Sequence, residues 1–207
     1  IETGEGKMST FVVRPESDGP FPVILFLMDA PGKREELHDM ARRVAATGYY
    51  VMLPNLYYRD VPSFTIHRED PVSSKYMAQL MDNLSNAMVS RDAAKLMEQA
   101  ESDDSANTDL VGVTGYCMSG PFALWLAADY PEKIKAAASI HGVRLATDAD
   151  DSPHTRAAQI DGEVLVLAAE FDDWVDKPHF DRLTDALINA DVSHYAEWGD
   201  GVHHGFV

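Results

Sequence analysis

Apolar residues along this chain come in short unbroken runs: Val23-Ile-Leu-Phe-Leu-Met28, Tyr49-Tyr-Val-Met-Leu53, Leu110-Val-Gly-Val-Thr114, Ala136-Ala-Ala-Ser-Ile140 and Val164-Leu-Val-Leu-Ala168. A run without polar alternation suits a strand covered on both faces, as in a parallel sheet. Thr10 to Val13 and Ser193 to Trp198 complete the predicted strands. Between them, apolar positions recurring every three to four residues predict helices over Glu35 to Thr47, Ser90 to Gln99, Gly120 to Asp129 and Pro178 to Ala190, with Gly48 and Pro131 as stops. Strands alternating with helices through short connectors make βαβ units and hence an α/β fold. The stretch Tyr57 to Ser74, with Pro62 and Pro71, is too long for a plain connector and reads as a loop forming part of a pocket rim. Met77 and Met81 share a helical face with Leu80 and Leu84 and read as helix packing, and Trp125 reads as core.

The chemistry starts at Gly115-Tyr-Cys-Met-Ser-Gly120, which lies between the strand ending at Thr114 and the helix opening at Gly120. A strand-to-helix turn of this kind holds its central residue in a strained conformation at the tip of a sheet, with small neighbours two positions away on either side. Gly115 and Ser119 are those neighbours, and Cys117, the only cysteine, is the central residue. A thiol there sits over a helix N-terminus that favours thiolate, beside backbone N–H groups able to hold an oxyanion. A lone cysteine is also a common buried hydrophobe, so the pattern gains weight only from partners later in the chain.

Those partners are an acid and then a histidine, the chain order of an α/β-hydrolase. The run Glu163 to Ala169 ends in Glu170-Phe-Asp-Asp173, where Asp172, favoured over Asp173 by its spacing from the strand, can orient an imidazole. The segment Trp198 to Phe206 carries His203 and His204 in a Gly-rich loop, and His204, just before Gly205-Phe206, is the candidate base.

These residues resemble the dienelactone hydrolases, or carboxymethylenebutenolidases, of the α/β-hydrolase superfamily. The likeness spans nearly the whole chain and includes Val23 to Gly32, Gly48 to Arg59, Gly115 to Gly120, Ser139-Ile-His-Gly142, Asp151-Ser-Pro-His154 and His204-Gly-Phe206. Cysteine at the elbow, where most α/β-hydrolases carry serine, discriminates best. The resemblance implies one three-layer α/β-hydrolase domain over residues 1–207 with a mostly parallel central sheet. It implies hydrolysis of activated esters or lactones by Cys117 as nucleophile, His204 as base and later acid, and Asp172 as the group that fixes the imidazole tautomer. Backbone N–H groups of Met118 and Ala30 would form the oxyanion hole. Asp29 stands where founding members carry glutamate, and Arg59 matches an arginine that binds a substrate carboxylate through paired hydrogen bonds. Trp174, His141 and His154 are further substrate-contact candidates.

Family members usually continue past the catalytic histidine into a last helix, whereas this chain ends at Val207 and begins at Ile1, as a portion of a longer protein would. The fold is therefore expected without that helix. The thinner cover leaves homo-oligomerisation open.

A length of 207 residues with 45% hydrophobic content suits one substantial core. The formal net charge of -17 opposes nucleic acid and anionic membranes as partners, and it requires any anionic substrate to be held by local groups. A single cysteine allows no internal disulfide, no apolar run approaches the ~20 residues of a membrane span, and no N-terminal signal is visible, so a cytoplasmic enzyme of a small-molecule substrate is expected. No cofactor is expected. Adjacent histidines diverge rather than converge on a metal, and no phosphate-cradling loop is present. Two alternatives stay open: a cysteine-dependent enzyme of DJ-1-like type, in which Asp29 would be the acid near the thiol, and a non-catalytic ligand binder on the hydrolase fold.

Overall fold

A computed structural model describes residues 1–207 as two compact units, Ile1–Val111 and Gly112–Val207. The first holds strands in the order β1-β3-β2 and the second in the order β5-β6-β7, and the chain passes from the first to the second along β4. The elements are β1 Thr10–Val13, β2 Phe21–Leu27, α1 Glu35–Ala45, β3 Tyr50–Pro54, α2 Pro71–Asp82, α3 Asn86–Glu101, β4 Ala106–Tyr116, α4 Gly120–Asp129, β5 Ile134–Ile140, β6 Glu163–Phe171, α5 Lys177–Asn189 and β7 His194–His203. Pairs β2/β3, β5/β6 and β6/β7 are parallel, as the unbroken apolar runs predict, while β1 joins β3 antiparallel.

In the first unit, β3 is buried along its whole length, and β2 contributes Val23, Leu25, Phe26 and Leu27 to the core. Helix α1 lays Leu37, Ala41 and Ala45 on one buried face, with Glu35 and Glu36 in its first turn and Arg42 and Arg43 in its last, matching the helix dipole. It ends at Ala45, two residues before the predicted last residue, Thr47. Tight turns bridge to Gly48, whose φ of +106° suits glycine.

The predicted Tyr57 to Ser74 loop ends early, because α2 starts at Pro71. Asp70 accepts the Val72 N–H at 2.9 Å, and proline at the first helical position lacks only a donor that a helix start leaves unpaired anyway. Pro71 thus opens a helix instead of interrupting one. Helix α3 likewise begins four residues before the predicted Ser90, since Ser85 caps it by accepting the Met88 N–H at 3.3 Å. Leu80 and Met97 are buried and Met77, Met81 and Met88 half-buried, consistent with packing.

In the second unit, α4 is apolar nearly all round and almost wholly buried. Trp125 is its exception. Rather than core, the indole is half-buried, donating Nε1–H to Asp129 at 2.9 Å while the Arg156 guanidinium lies 4.4 Å from its ring. A buried N–H needs a polar partner, and these supply one at the surface.

Candidate active site

Strand β4 ends at Tyr116, and Cys117 turns the chain into α4 with φ +53°. A left-handed non-glycine residue costs about 1–3 kcal/mol unless its surroundings enforce it. Here Ser119, fully buried, accepts the Tyr116 N–H at 2.8 Å and donates its hydroxyl to the Tyr116 carbonyl at 3.1 Å, while Val143 N–H binds the Cys117 carbonyl at 3.1 Å. A Cβ added at Gly115 would lie 2.1 Å from the Ser119 carbonyl oxygen, so only glycine lets the turn close. The half-buried Cys117 is thus presented at the strand tip at the start of α4. Ser119, expected only as a small neighbour, has a second task, because its hydroxyl ties the turn.

Strand β6 runs three residues beyond its predicted end and delivers Asp172 directly after Phe171. Asp172 has a side-chain exposure of 1% and accepts two hydrogen bonds, from His204 Nδ1 at 2.7 Å and from Trp174 N–H at 2.9 Å. The predicted Gly-rich loop before His204 is instead the end of β7. From Gly199 to His203 this strand advances four positions while β6 advances two, from Ala169 to Phe171. Such a bulge bends the strand and re-aims its next side chain. Gly201, at φ +75°, donates its N–H to Glu170 at 2.7 Å within the bulge, and His204 N–H then binds the Phe171 carbonyl at 3.1 Å. His204 is thereby set on Asp172, and His203 turns to the other side against the Phe171 ring at 4.8 Å.

With Nδ1–H on the carboxylate, His204 keeps a lone pair at Nε2, which is buried and has no hydrogen-bond partner. Two rings meet the imidazole edge-on, each with its centroid at 4.7 Å: the exposed Trp174 and the buried His141. His141 also lies 6.2 Å from the Tyr116 ring, next to Cys117 in sequence, and 5.8 Å from Phe206. Tyr116 and Phe206 are additions to the predicted site, because aromatic residues at a strand end and in a loop carry no sequence signal of their own.

His141 follows β5 directly, with φ +39°, its N–H on the Leu167 carbonyl at 2.7 Å and its Nδ1 buried without a partner. Burial, reinforced by the neighbouring His204, pushes its pKa down to about 4. Between pH 4 and 6.5 the unfolded chain then holds a proton at this site that the folded one lacks, so the stability present above pH 6.5 is lost as pH falls toward 4. The wild type should lose about 3 kcal/mol more than His141→Phe across that window. Urea unfolding of both proteins at pH 7 and pH 4.5 checks it, and equal losses would refute it.

The remaining predicted residues make contacts of their own. Met118 is buried directly after Cys117. In the first unit, Ala30 is buried in the turn after β2, where its carbonyl accepts the Tyr57 hydroxyl at 2.9 Å. Asp29 is held by Arg34 through two hydrogen bonds of 2.5 and 2.9 Å. Arg59 makes a two-pronged pair with the buried Asp92 at 2.7 and 2.9 Å, reaches Glu5 at 2.5 Å, and stacks on Tyr58. His154 bonds Ser152 at 2.9 Å and shares the field of Asp148 and Arg182, away from the contacts made by His204. No group of three or more His, Cys, Asp or Glu side chains converges in a way that would hold a metal ion, and no helix is long and apolar enough to cross a membrane.

A mostly parallel sheet, a left-handed cysteine between strand and helix, and a hydrogen-bonded acid and histidine after the following strands define an α/β-hydrolase fold. Solved structures agree on the fold. A crystal structure of a "Putative Dienelactone Hydrolase" from Klebsiella pneumoniae superposes with TM-score 0.84 at 24% identity, covering 96% of this chain and 82% of that one. The acylaminoacyl peptidase of Pyrococcus horikoshii superposes with TM-score 0.73 at 15% identity, covering 96% of this chain and 36% of that one. In sequence, the dienelactone hydrolase family model matches residues 8–207, and the chain belongs to that family of hydrolases. Among its relatives is the carboxymethylenebutenolidase of Rhodococcus opacus, 28% identical over 194 residues that cover 91% of this chain and 71% of that protein.

Proposed function

We propose that Cys117, His204 and Asp172 form a nucleophile–base–acid triad that hydrolyses activated esters or lactones, dienelactone-like ones included, through an acyl-thioester. The observation that carries this reading is the Asp172–His204 bond of 2.7 Å, which leaves the buried Nε2 as the unpaired acceptor. Nε2 takes the thiol proton as Sγ bonds to the acyl carbon and the carbonyl electrons move to oxygen. Collapse of the oxyanion breaks the ester C–O bond, and the imidazolium returns its proton to the departing alkoxide. Water then adds to the thioester, giving its proton to Nε2, and the second collapse expels Sγ, which regains that proton. The Met118 N–H, directly after the nucleophile, donates to the oxyanion, and Trp174 and His141 contact the acyl group.

The direct test is intact-mass and peptide mapping of protein mixed with p-nitrophenyl acetate. Wild type should release nitrophenolate with turnover, and His204→Ala should accumulate one acetyl group on Cys117 because its deacylation lacks a base. An acetyl group on any residue other than Cys117, with turnover intact in Cys117→Ala, would overturn the reading.

A further inference from the structure

We propose that His179 is a positioning residue for the elbow and a proton-operated latch: as a neutral imidazole it holds two backbone N–H groups of the loop that braces Cys117, and a proton on the ring releases them. The consequence for turnover rests on the triad reading, whereas the hold on the loop does not.

The loop runs from His141, directly after β5, to Ser152, ahead of the short 3₁₀ segment Pro153–Gln159. Its first residues touch the elbow. Val143 N–H binds the Cys117 carbonyl at 3.1 Å, and a Cβ added at Gly120, the first residue of α4, would lie 2.4 Å from the Gly142 Cα, so loop and helix meet backbone to backbone. His141 and Arg144 are left-handed, at φ +39° and +54°, a conformation that persists in such residues only where neighbours impose it. Next come Leu145 and Ala146, both buried, whose N–H groups converge on one atom: Nε2 of His179 on α5, at 2.9 and 3.0 Å. A ring nitrogen that accepts twice carries no proton, which places the proton of the neutral ring on Nδ1.

Protonation turns Nε2 from an acceptor into a donor that faces two other donors. The neighbouring ties offer no replacement: Arg182 donates to the Ala146 carbonyl at 3.3 Å, the His154 N–H donates to the Leu145 carbonyl at 3.2 Å, and the Ser152 hydroxyl already accepts the Thr147 N–H at 2.9 Å. Buried N–H groups left without an acceptor are costly, so the loop must move to find water. The ring is half-buried beside a cavity of about 360 Å³ that Asp148, Asp176 and Arg182 also line, which gives water access to it. The charged and titratable groups around it are Asp176 and Arg182 on its own helix, Asp148 on the loop, His154 on the 3₁₀ segment and Asp172 after β6. Burial, helped by Arg182 and His154, holds the ring below the ordinary histidine range against the pull of Asp176 and Asp172. The hold is therefore complete above pH 6.5 and is lost as pH falls through the lowered folded value.

Hydrogen exchange of the whole chain, read by mass spectrometry on peptides covering Gly142 to Thr147 and, as internal control, α4, tests the latch. In wild type the loop's protection, corrected for the intrinsic pH dependence of exchange, should fall about tenfold or more between pH 7 and pH 5 while that of α4 holds, since two hydrogen bonds are lost. His179→Phe keeps a ring without the acceptor and should show the low protection already at pH 7. His179→Gln, whose amide oxygen can stand in for Nε2, should restore protection at both pH values. In step with this, kcat/KM for p-nitrophenyl acetate should fall on the acid side with one proton fewer in His179→Gln than in wild type. Protection in wild type that ignores pH, a fall shared equally by α4, a fall as large in His179→Gln as in wild type, or full protection in His179→Phe would overturn the inference. If His179→Phe does not fold, wild type against His179→Gln decides alone. Absence of p-nitrophenyl acetate turnover, or its survival in Cys117→Ala, would bring down the triad reading instead, and exchange would still decide the latch.

Discussion

Asp172→Asn is expected to lower kcat for p-nitrophenyl acetate about 10⁴-fold while leaving the fold intact, approaching the loss in Cys117→Ala. The reason lies in how the carboxylate is used. One oxygen accepts the Trp174 N–H at 2.9 Å and the other the His204 Nδ1–H at 2.7 Å. In asparagine the carbonyl oxygen can keep the Trp174 bond, which turns the amide NH2 toward Nδ1. The ring must then accept there and carry its proton on Nε2, the wrong tautomer for taking a proton from the thiol. The substitution is nearly isosteric, so thermal unfolding should move little. Steady-state kinetics at saturating ester, with a melting curve alongside, decide the matter, and a kcat loss under about tenfold would show that Asp172 does not orient the base.

The second large effect is structural and lies at the elbow. Gly115→Ala should cost about 4 kcal/mol, lowering the melting temperature by about 8–16 °C, and should remove activity together with the turn. The added methyl carbon would lie 2.1 Å from the Ser119 oxygen, 2.6 Å from its carbonyl carbon and 3.0 Å from Gly120 N. All three are backbone atoms, so no side-chain rotation relieves the overlap. The turn that holds Cys117 at φ +53° must open instead. Gly4→Ala is the control, since its φ of +81° adds strain but no atom lies within 4 Å of the new carbon, and about 1 kcal/mol is expected there. Equal melting shifts in the two variants would refute the close-packing account.

Some of this molecule is legible along the chain because its causes are local. Unbroken apolar runs mark β2 through β6 because strands covered on both faces exclude polar residues at nearly every position. The all-apolar α4 and the small residues flanking Cys117 mark the elbow for a similar reason: the backbone geometry leaves few other choices of side chain. Helix α3 starts earlier than periodicity predicts, and α2 begins inside the predicted Tyr57 to Ser74 loop, because a capping residue, Ser85 or Asp70, governs the boundary more strongly than the apolar spacing does. Asp172 and His204 are nameable because each lies just past a strand.

What the sequence by itself determined was therefore the α/β class, the position of the elbow cysteine and the order of Asp172 and His204 after it, each marked by residues within a few positions of it. The rest was decided in three dimensions. The bulge that turns His204 onto Asp172 depends on the register between β6 and β7, which neither strand encodes alone. The edge-on contacts of His141 and Trp174 with that imidazole join three separate loops. Arg59, eligible in sequence for a substrate carboxylate, is bound by Asp92 and Glu5, 33 and 54 residues away along the chain. A charged side chain's role is settled by whichever counter-charge the fold brings within hydrogen-bond reach, and that information exists only once the chain has closed.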